Sequence, residues 1–360
     1  MNRLILIGNG FDLAHGLKTS YKDFIDWYWV NRIKGLEHED ALVSTDPLCT
    51  LTNALNKPWS ESYLIDKNLR RREIAKIITY VKNSPYYYQL EMSKLLSTIC
   101  KNIEIKGWAD IENDYYSCLT YYVSNYKALG KDTIVGLNKE FAYLKERLID
   151  YLNTESQKAT VFIKSINDKI YENFRQCEID ITSSYYENNS LIEGTYPDNI
   201  MLLNFNYTST PLQYVENKPN VTIKYIHGKL DNPQSVIFGY GDETDKDYER
   251  LNQFDDGECL RYIKQMHYNE NSYYRDLMEF IKSAPFQICI MGHSCGKSDR
   301  TLLNMMFEHV NCVSIKPYYH VYKDGEDDYE KLFQNIDKSC TNKQLVRNKV
   351  VVKTNTKPLS

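Results

Sequence analysis

The sequence predicts an α/β protein with a parallel sheet and a large, mostly helical insertion. Three observations predict it. Near the first residue, an apolar run enters a glycine turn that leads into a helical pattern. Beyond residue 198, similar runs return, each ending in a polar or glycine-rich turn. Between them strand signals fade, and apolar stripes at helical spacing replace them. Residues 1–30 and 198–360 are therefore assigned to the sheet domain, and residues 31–197 to the insertion.

Leu4-Ile5-Leu6-Ile7 is apolar throughout, as expected for a strand buried on both faces. It runs into Gly8-Asn9-Gly10, where small residues permit a tight turn or the close approach of a ligand. Phe11 and Asp12 open the helix that follows. Strand, glycine turn and helix N-terminus together make a phosphate cradle, although Leu13 breaks the full G-x-G-x-x-G pattern. The alternative is an ordinary turn. Helical spacing continues to Trp29, interrupted at Gly16, and His15 is either a structural side chain or a ligand contact at the pocket rim.

In the insertion, helices are expected over Arg72–Lys82, Leu137–Leu152 and Ala159–Phe174, and a loop over Ser44–Trp59 with Pro47 and Pro58. Asp110, in Trp108-Ala109-Asp110-Ile111-Glu112, either caps the next helix or, with Glu112, reaches a ligand pocket.

Ile200-Met201-Leu202-Leu203 reads as a buried strand ending in Asn204-Phe205-Asn206-Tyr207-Thr208. Asn206 is either a turn residue or a ligand contact at the carboxyl end of the strand, where open α/β sheets bind ligands. Val221–Ile226 is a strand followed by His227-Gly228, a reasonable position for a general base beside a residue small enough to admit substrate. A structural histidine is the alternative. Val236-Ile237-Phe238 reads as a short strand, and Asp242–Asp256 as a solvated acidic segment, a candidate lid.

Phe286–Met291 is the last strong buried strand. It leads through Gly292-His293-Ser294-Cys295-Gly296 to a helix over Arg300–His309, with Ser298 or Asp299 as N-cap. A further strand near Asn311–Tyr322, a helix over Asp328–Ile336 and an edge strand over Leu345–Lys353 complete the chain. The strand–turn–helix units at both ends make the sheet Rossmann-like. Gly292-His293-Ser294-Cys295-Gly296 also matches a G-x-S-x-G nucleophile elbow, which would make Ser294 a hydrolase nucleophile. The acid and histidine that should follow, in that order, are not in place.

A net charge of −4 gives no electrostatic case for nucleic acid. Nine scattered cysteines without a C-x-x-C pair argue against a zinc ribbon and for a reducing compartment, so the expectation is a cytoplasmic protein with no bound metal. No apolar run is long enough to span a membrane.

Gly8 through Tyr21, GNGFDLAHGLKTSY, closely resembles the opening signature of the AbiH family of bacteriophage abortive-infection proteins. Trp108/Asp110/Glu112, Asn204–Thr210, Ile226-His227-Gly228, Phe238-Gly239 and Gly292-His293-Ser294 with Asp299 extend that resemblance in order. The same blocks resemble, remotely, the sirtuin-type NAD-binding fold. That likeness implies NAD as substrate or ligand: Gly8, Asn9 and Gly10 with Gly16 stand in the place of the glycine loop under the phosphates, and Gly292, His293 and Ser294 near the adenosine ribose, with Phe11, Asp12, His15 and Asp299 as further cofactor-binding candidates. It implies Asn206 positioning ribose and water, and His227 as the base. Thr208 departs from it, standing where the sirtuin T-x-N-x-D motif has its acid. The implied activity is antiviral hydrolysis of NAD to nicotinamide and ADP-ribose, with a nucleotide-binding sensor acting through a partner protein as the alternative. A toxic NADase further implies a phage-derived trigger, and control by a homo-oligomer or by the acidic loop.

Overall fold

A computed structural model describes residues 1–39, 43–53, 88–188, 192–215, 218–254 and 256–360. The chain forms two compact units: Met1–Lys18, Leu152–Glu249 and Ile263–Ser360 in one, Thr19–Tyr151 and Arg250–Tyr262 in the other. The expected division fell instead at residues 30 and 198. Eight strands lie among the described residues: β1 (Asn2–Ile7), β2 (Val43–Thr45), β3 (Cys49–Asn53), β4 (Tyr88–Met92), β5 (Ile200–Asn204), β6 (Val221–Tyr225), β7 (Phe286–Met291) and β8 (Cys312–Tyr318).

The first unit holds a five-stranded, wholly parallel sheet in the order β6-β5-β1-β7-β8. The chain starts at the centre, steps outward through β5 and β6, then returns to the other side of β1. Register keeps the carboxyl ends level: Ile7 pairs with Asn204 and Met291, and Asn204 with Tyr225. The turns after β1, β5, β6 and β7 therefore emerge on one edge.

Both faces of β1 are buried, which is why its apolar run does not alternate with polar residues. Leu4 and Leu6 join Met201, Leu203, Ile288 and Ile290 on one face. The helices Tyr273–Ser283, Arg300–Phe307 and Tyr329–Ser339 cover it with Leu277, Ile281, Leu303, Met306 and Ile336. Ile5 and Ile7 face the opposite way, with Leu202, Cys289, Phe11, Ile166, Ile170 and Tyr214.

Residues 164–180 belong to this unit because a buried polar network ties them to the sheet. The Arg3 guanidinium, fully buried, donates to the Ile170 and Glu172 carbonyls and to Gln287 Oε1. Gln287 donates to Glu178 and Ser314, and Lys316 bonds Glu172 and Glu178. Every charge in the network has an opposite partner or a carbonyl, as burial requires.

The expected helix extends over Lys131–Ser156, its residues 131–151 in the second unit, with Leu137, Phe141, Leu144, Leu148 and Tyr151 all buried. Asp110 caps the helix Ile111–Ser124 by accepting from the Asn113 amide at 3.1 Å, and Glu112 is buried in its first turn.

Several expectations need correction. Within the expected loop Ser44–Trp59, β2 and β3 pair with each other, and β3 with β4, as an antiparallel sheet. Asp46 makes the tight turn between β2 and β3 by accepting from the Leu48 and Cys49 amides. Ala159–Phe174 is helical only over Lys164–Ile170. Val236–Phe238 is buried but forms no strand; the Ile237 amide bonds the His227 carbonyl instead. Leu345–Lys353 is not an edge strand. Asn342 caps a helix over Lys343–Lys349, after which the Val351 amide bonds Ile315 of β8. Asp242 opens the acidic segment but is buried and pairs with Arg300, so this end is not solvated. Arg72–Lys82 lies outside the described residues.

Candidate active site at the carboxyl edge of the sheet

The turn after β1 packs against the turn after β7. A Cβ on Gly8 would lie 2.5 Å from His293 Cα, and one on Gly10 2.9 Å from Gly292 Cα. Gly292 has φ +74, and its Cβ would lie 2.1 Å from the Phe11 nitrogen. The Gly10 amide donates to the Gly292 carbonyl at 2.8 Å, and the Phe11 amide to the Gly8 carbonyl at 2.9 Å. These glycines thus serve a backbone-to-backbone contact. The helix they open, Asn9–Ala14, is short, and two of its first amides already have protein acceptors. The expected phosphate cradle does not take that form. Asn9 lies exposed at the turn, whereas Phe11 is fully buried in the core.

Asp12, one turn into this helix, is 1% exposed. Its Oδ2 accepts from the Thr208 hydroxyl at 2.7 Å, and Thr210 Oγ1 stands 3.3 Å behind Thr208. Its Oδ1 has no hydrogen-bond partner among the described residues. Burial raises the carboxyl to about 6, although Thr208, Thr210 and Asn206 beside it pull the other way. Asn204 shapes the turn after β5 by donating to the Thr208 carbonyl and accepting from the Asn206 amide. That frees the Asn206 carboxamide from its own turn, and it donates to the Gly8 carbonyl at 2.9 Å.

His227, at the end of β6, sits in an aromatic box with Phe205 edge-on at 5.2 Å and Tyr268 parallel at 6.5 Å. Gly228 has φ +84, and a Cβ there would lie 2.1 Å from the Ser235 carbonyl oxygen. It serves that turn rather than making room for a substrate. Burial, then Lys264, push the His227 imidazole down to about 3, so it is neutral at pH 7. The Phe205 backbone beside the ring works in the opposite direction. Nε2 lies 3.3 Å from Asp299 Oδ1 but makes no aligned hydrogen bond.

Asp299 anchors the cluster. Lys264 Nζ donates to its Oδ1 at 2.8 Å, and His293 Nε2 lies 3.4 Å from its Oδ2. Burial opposes its ionisation, but Lys264, His227 and His293 outweigh burial and hold the carboxyl well below the usual range. The expected cap role belongs only to its backbone; the side chain makes no capping bond. His293 Nδ1 accepts from the Cys295 amide at 3.0 Å, which leaves its Nε2 proton directed at Asp299.

The structure therefore brings Asn206, His227, Asp12, His293 and Asp299 to one edge of one unit. His15 is committed elsewhere: Nδ1 donates to the Phe11 carbonyl at 2.7 Å and Nε2 accepts from the Tyr214 hydroxyl at 2.6 Å. Ser294 is exposed, and its carbonyl accepts from Asn335. The positive φ of a nucleophile elbow falls on the next residue, Cys295 (φ 51), which is buried and whose thiol burial pushes up. Lys264 carried no sequence signal, lying in a short helix with no motif around it. Asn204, which shapes the turn that presents the expected Asn206, is a further residue of the site.

All nine cysteines are unpaired, and no cluster of His, Cys, Asp and Glu among the described residues is arranged to hold a metal ion. No described helix is long and apolar enough to cross a membrane. No curated protein matches the chain. A family model described as bacteriophage abortive infection AbiH matches residues 4–320, a span that includes every residue of the edge cluster. The chain belongs to the AbiH family of bacteriophage abortive infection.

Proposed function

We propose that this AbiH protein is an abortive-infection effector that hydrolyses NAD to nicotinamide and ADP-ribose at the carboxyl edge of its parallel sheet. One observation carries the reading. A neutral imidazole whose Nε2 makes no hydrogen bond among the described residues (His227), a carboxamide (Asn206) and two buried carboxyl groups (Asp12, Asp299) stand where four strands end. Counted along the chain, the five strands lie in the order third, second, first, fourth, fifth, as in Rossmann-like dinucleotide-binding sheets. Ligands of such sheets bind where the order reverses, which here is between β1 and β7.

In the proposed reaction the bond between C1′ and the nicotinamide nitrogen breaks. Its electron pair leaves with neutral nicotinamide, and positive charge builds on C1′ as in glycoside hydrolysis. A water held by Asn206 attacks C1′, and its proton passes to His227 Nε2 and then to solvent. The base accounts for roughly a hundred- to ten-thousand-fold in rate. His227→Ala and Asn206→Ala are predicted to fold normally and to lose turnover by about that range, read as nicotinamide release by chromatography. Wild-type turnover in both variants would remove the assignment. A phage-derived trigger, and control through a homo-oligomer or the acidic segment, complete the proposal.

A second reading, a nucleotide sensor acting through a partner protein, is favoured by one observation: Thr208 stands where the resembled catalytic motif carries an acid, and its hydroxyl is given to Asp12. It predicts that NAD raises the melting temperature by binding the folded state and is recovered intact.

A further inference from the structure

We infer that Asp12 is the acceptor for a sugar hydroxyl: its free Oδ1 receives a ribose hydroxyl of the nucleotide. The inference rests on the nucleotide reading above and extends it to a residue with no role in that mechanism. The Asp12 carboxyl is buried and half satisfied. Thr208 donates to Oδ2 at 2.7 Å, backed by Thr210, while Oδ1, with the Asn206 side chain near the carboxyl, makes no aligned hydrogen bond among the described residues. A buried carboxyl oxygen without a donor is costly, and folds retain such atoms where something else completes them. The location suits a substrate, because Asp12 follows the central strand β1 and Asn206 lies beside it.

The chemistry selects the ligand group. An ionised carboxyl only accepts, so its partner must donate, and a phosphate oxygen would be repelled. A ribose offers hydroxyl donors on a neutral ring. The motif position held by Thr208 carries no acid of its own, and its hydroxyl fixes Asp12 instead. Tyr225 of β6 is an ionisable neighbour that burial keeps neutral through the pH range of the test, and His227 at the same edge is neutral there too.

The test is calorimetric binding of ADP-ribose to the full chain between pH 5 and 8, for wild type, Asp12→Asn and Thr208→Val. The probe needs no turnover. Wild-type affinity should rise through pH 6 as the carboxyl ionises. Asp12→Asn should bind at least about tenfold more weakly with a flat profile, since a charged hydrogen bond is lost. Thr208→Val, lacking the donor that favours the ionised form, should move the inflection upward. Wild-type affinity and pH dependence in both variants would overturn the inference and leave Oδ1 to an ordered water. If wild type binds neither ADP-ribose nor NAD, the nucleotide reading fails and this inference with it.

Discussion

Asp12 holds its proton more tightly in the fold than in the unfolded chain. Its carboxyl is raised from the ordinary 3.8 to about 6, chiefly by burial. A group raised in this way stabilises the fold fully below about pH 4, and that contribution fades as pH rises through 6. The difference is worth about 3 kcal/mol. Asp12→Asn, which carries no charge, should therefore gain stability relative to wild type as pH rises from 4 to 8. Urea unfolding at the two ends of that range reads the difference, and a pH-independent gap would contradict it. A site residue that weakens the fold at neutral pH accords with a residue retained for binding. Lys264 has the opposite character. Its ammonium is 1% exposed and bonded to Asp299. Lys264→Met removes one partner of a buried pair and should cost about 3–5 kcal/mol by denaturant unfolding. Adding Asp299→Leu should restore part of that loss, whereas additive losses would deny the coupling.

Among the elements, the contact between the turns after β1 and β7 sets the geometry of the edge. Gly8, Gly10 and Gly292 were legible as residues that must be small, but what they make room for was not. Sequence shows a missing side chain, whereas the group that fills its place comes from a turn some 280 residues later. Gly292→Ala should cost at least about 3 kcal/mol, because a Cβ at φ +74 is strained and would overlap the Phe11 nitrogen. A melting temperature near that of wild type would contradict this contact. The central strands were legible because burial on both faces leaves continuous apolar runs such as Leu4–Ile7 and Ile288–Met291. Local chemistry misled elsewhere. Val236-Ile237-Phe238 has strand composition but is held by the His227 carbonyl, and a helix cap at Asn342 overrides the β-branched end of the chain.

For the whole molecule, the family and the parallel sheet were legible from short ordered blocks, and the AbiH match over residues 4–320 shows the family. The unit boundaries were harder to read, because residues 164–180 join the sheet through Arg3, Gln287 and Lys316, charged or polar residues inside apolar strands. Lys264 was illegible for a related reason: a buried lysine is recognised by its partner, and Asp299 lies 35 residues away. The carboxyl edge of this one sheet is where NAD is proposed to be cleaved. The most direct test is a time course of NAD with the purified full chain beside His227→Ala, both verified as folded. Wild type should release equimolar nicotinamide and ADP-ribose, and the variant should do so at least about a hundredfold more slowly. Intact NAD with wild type, or equal rates from the two proteins, would contradict the proposal.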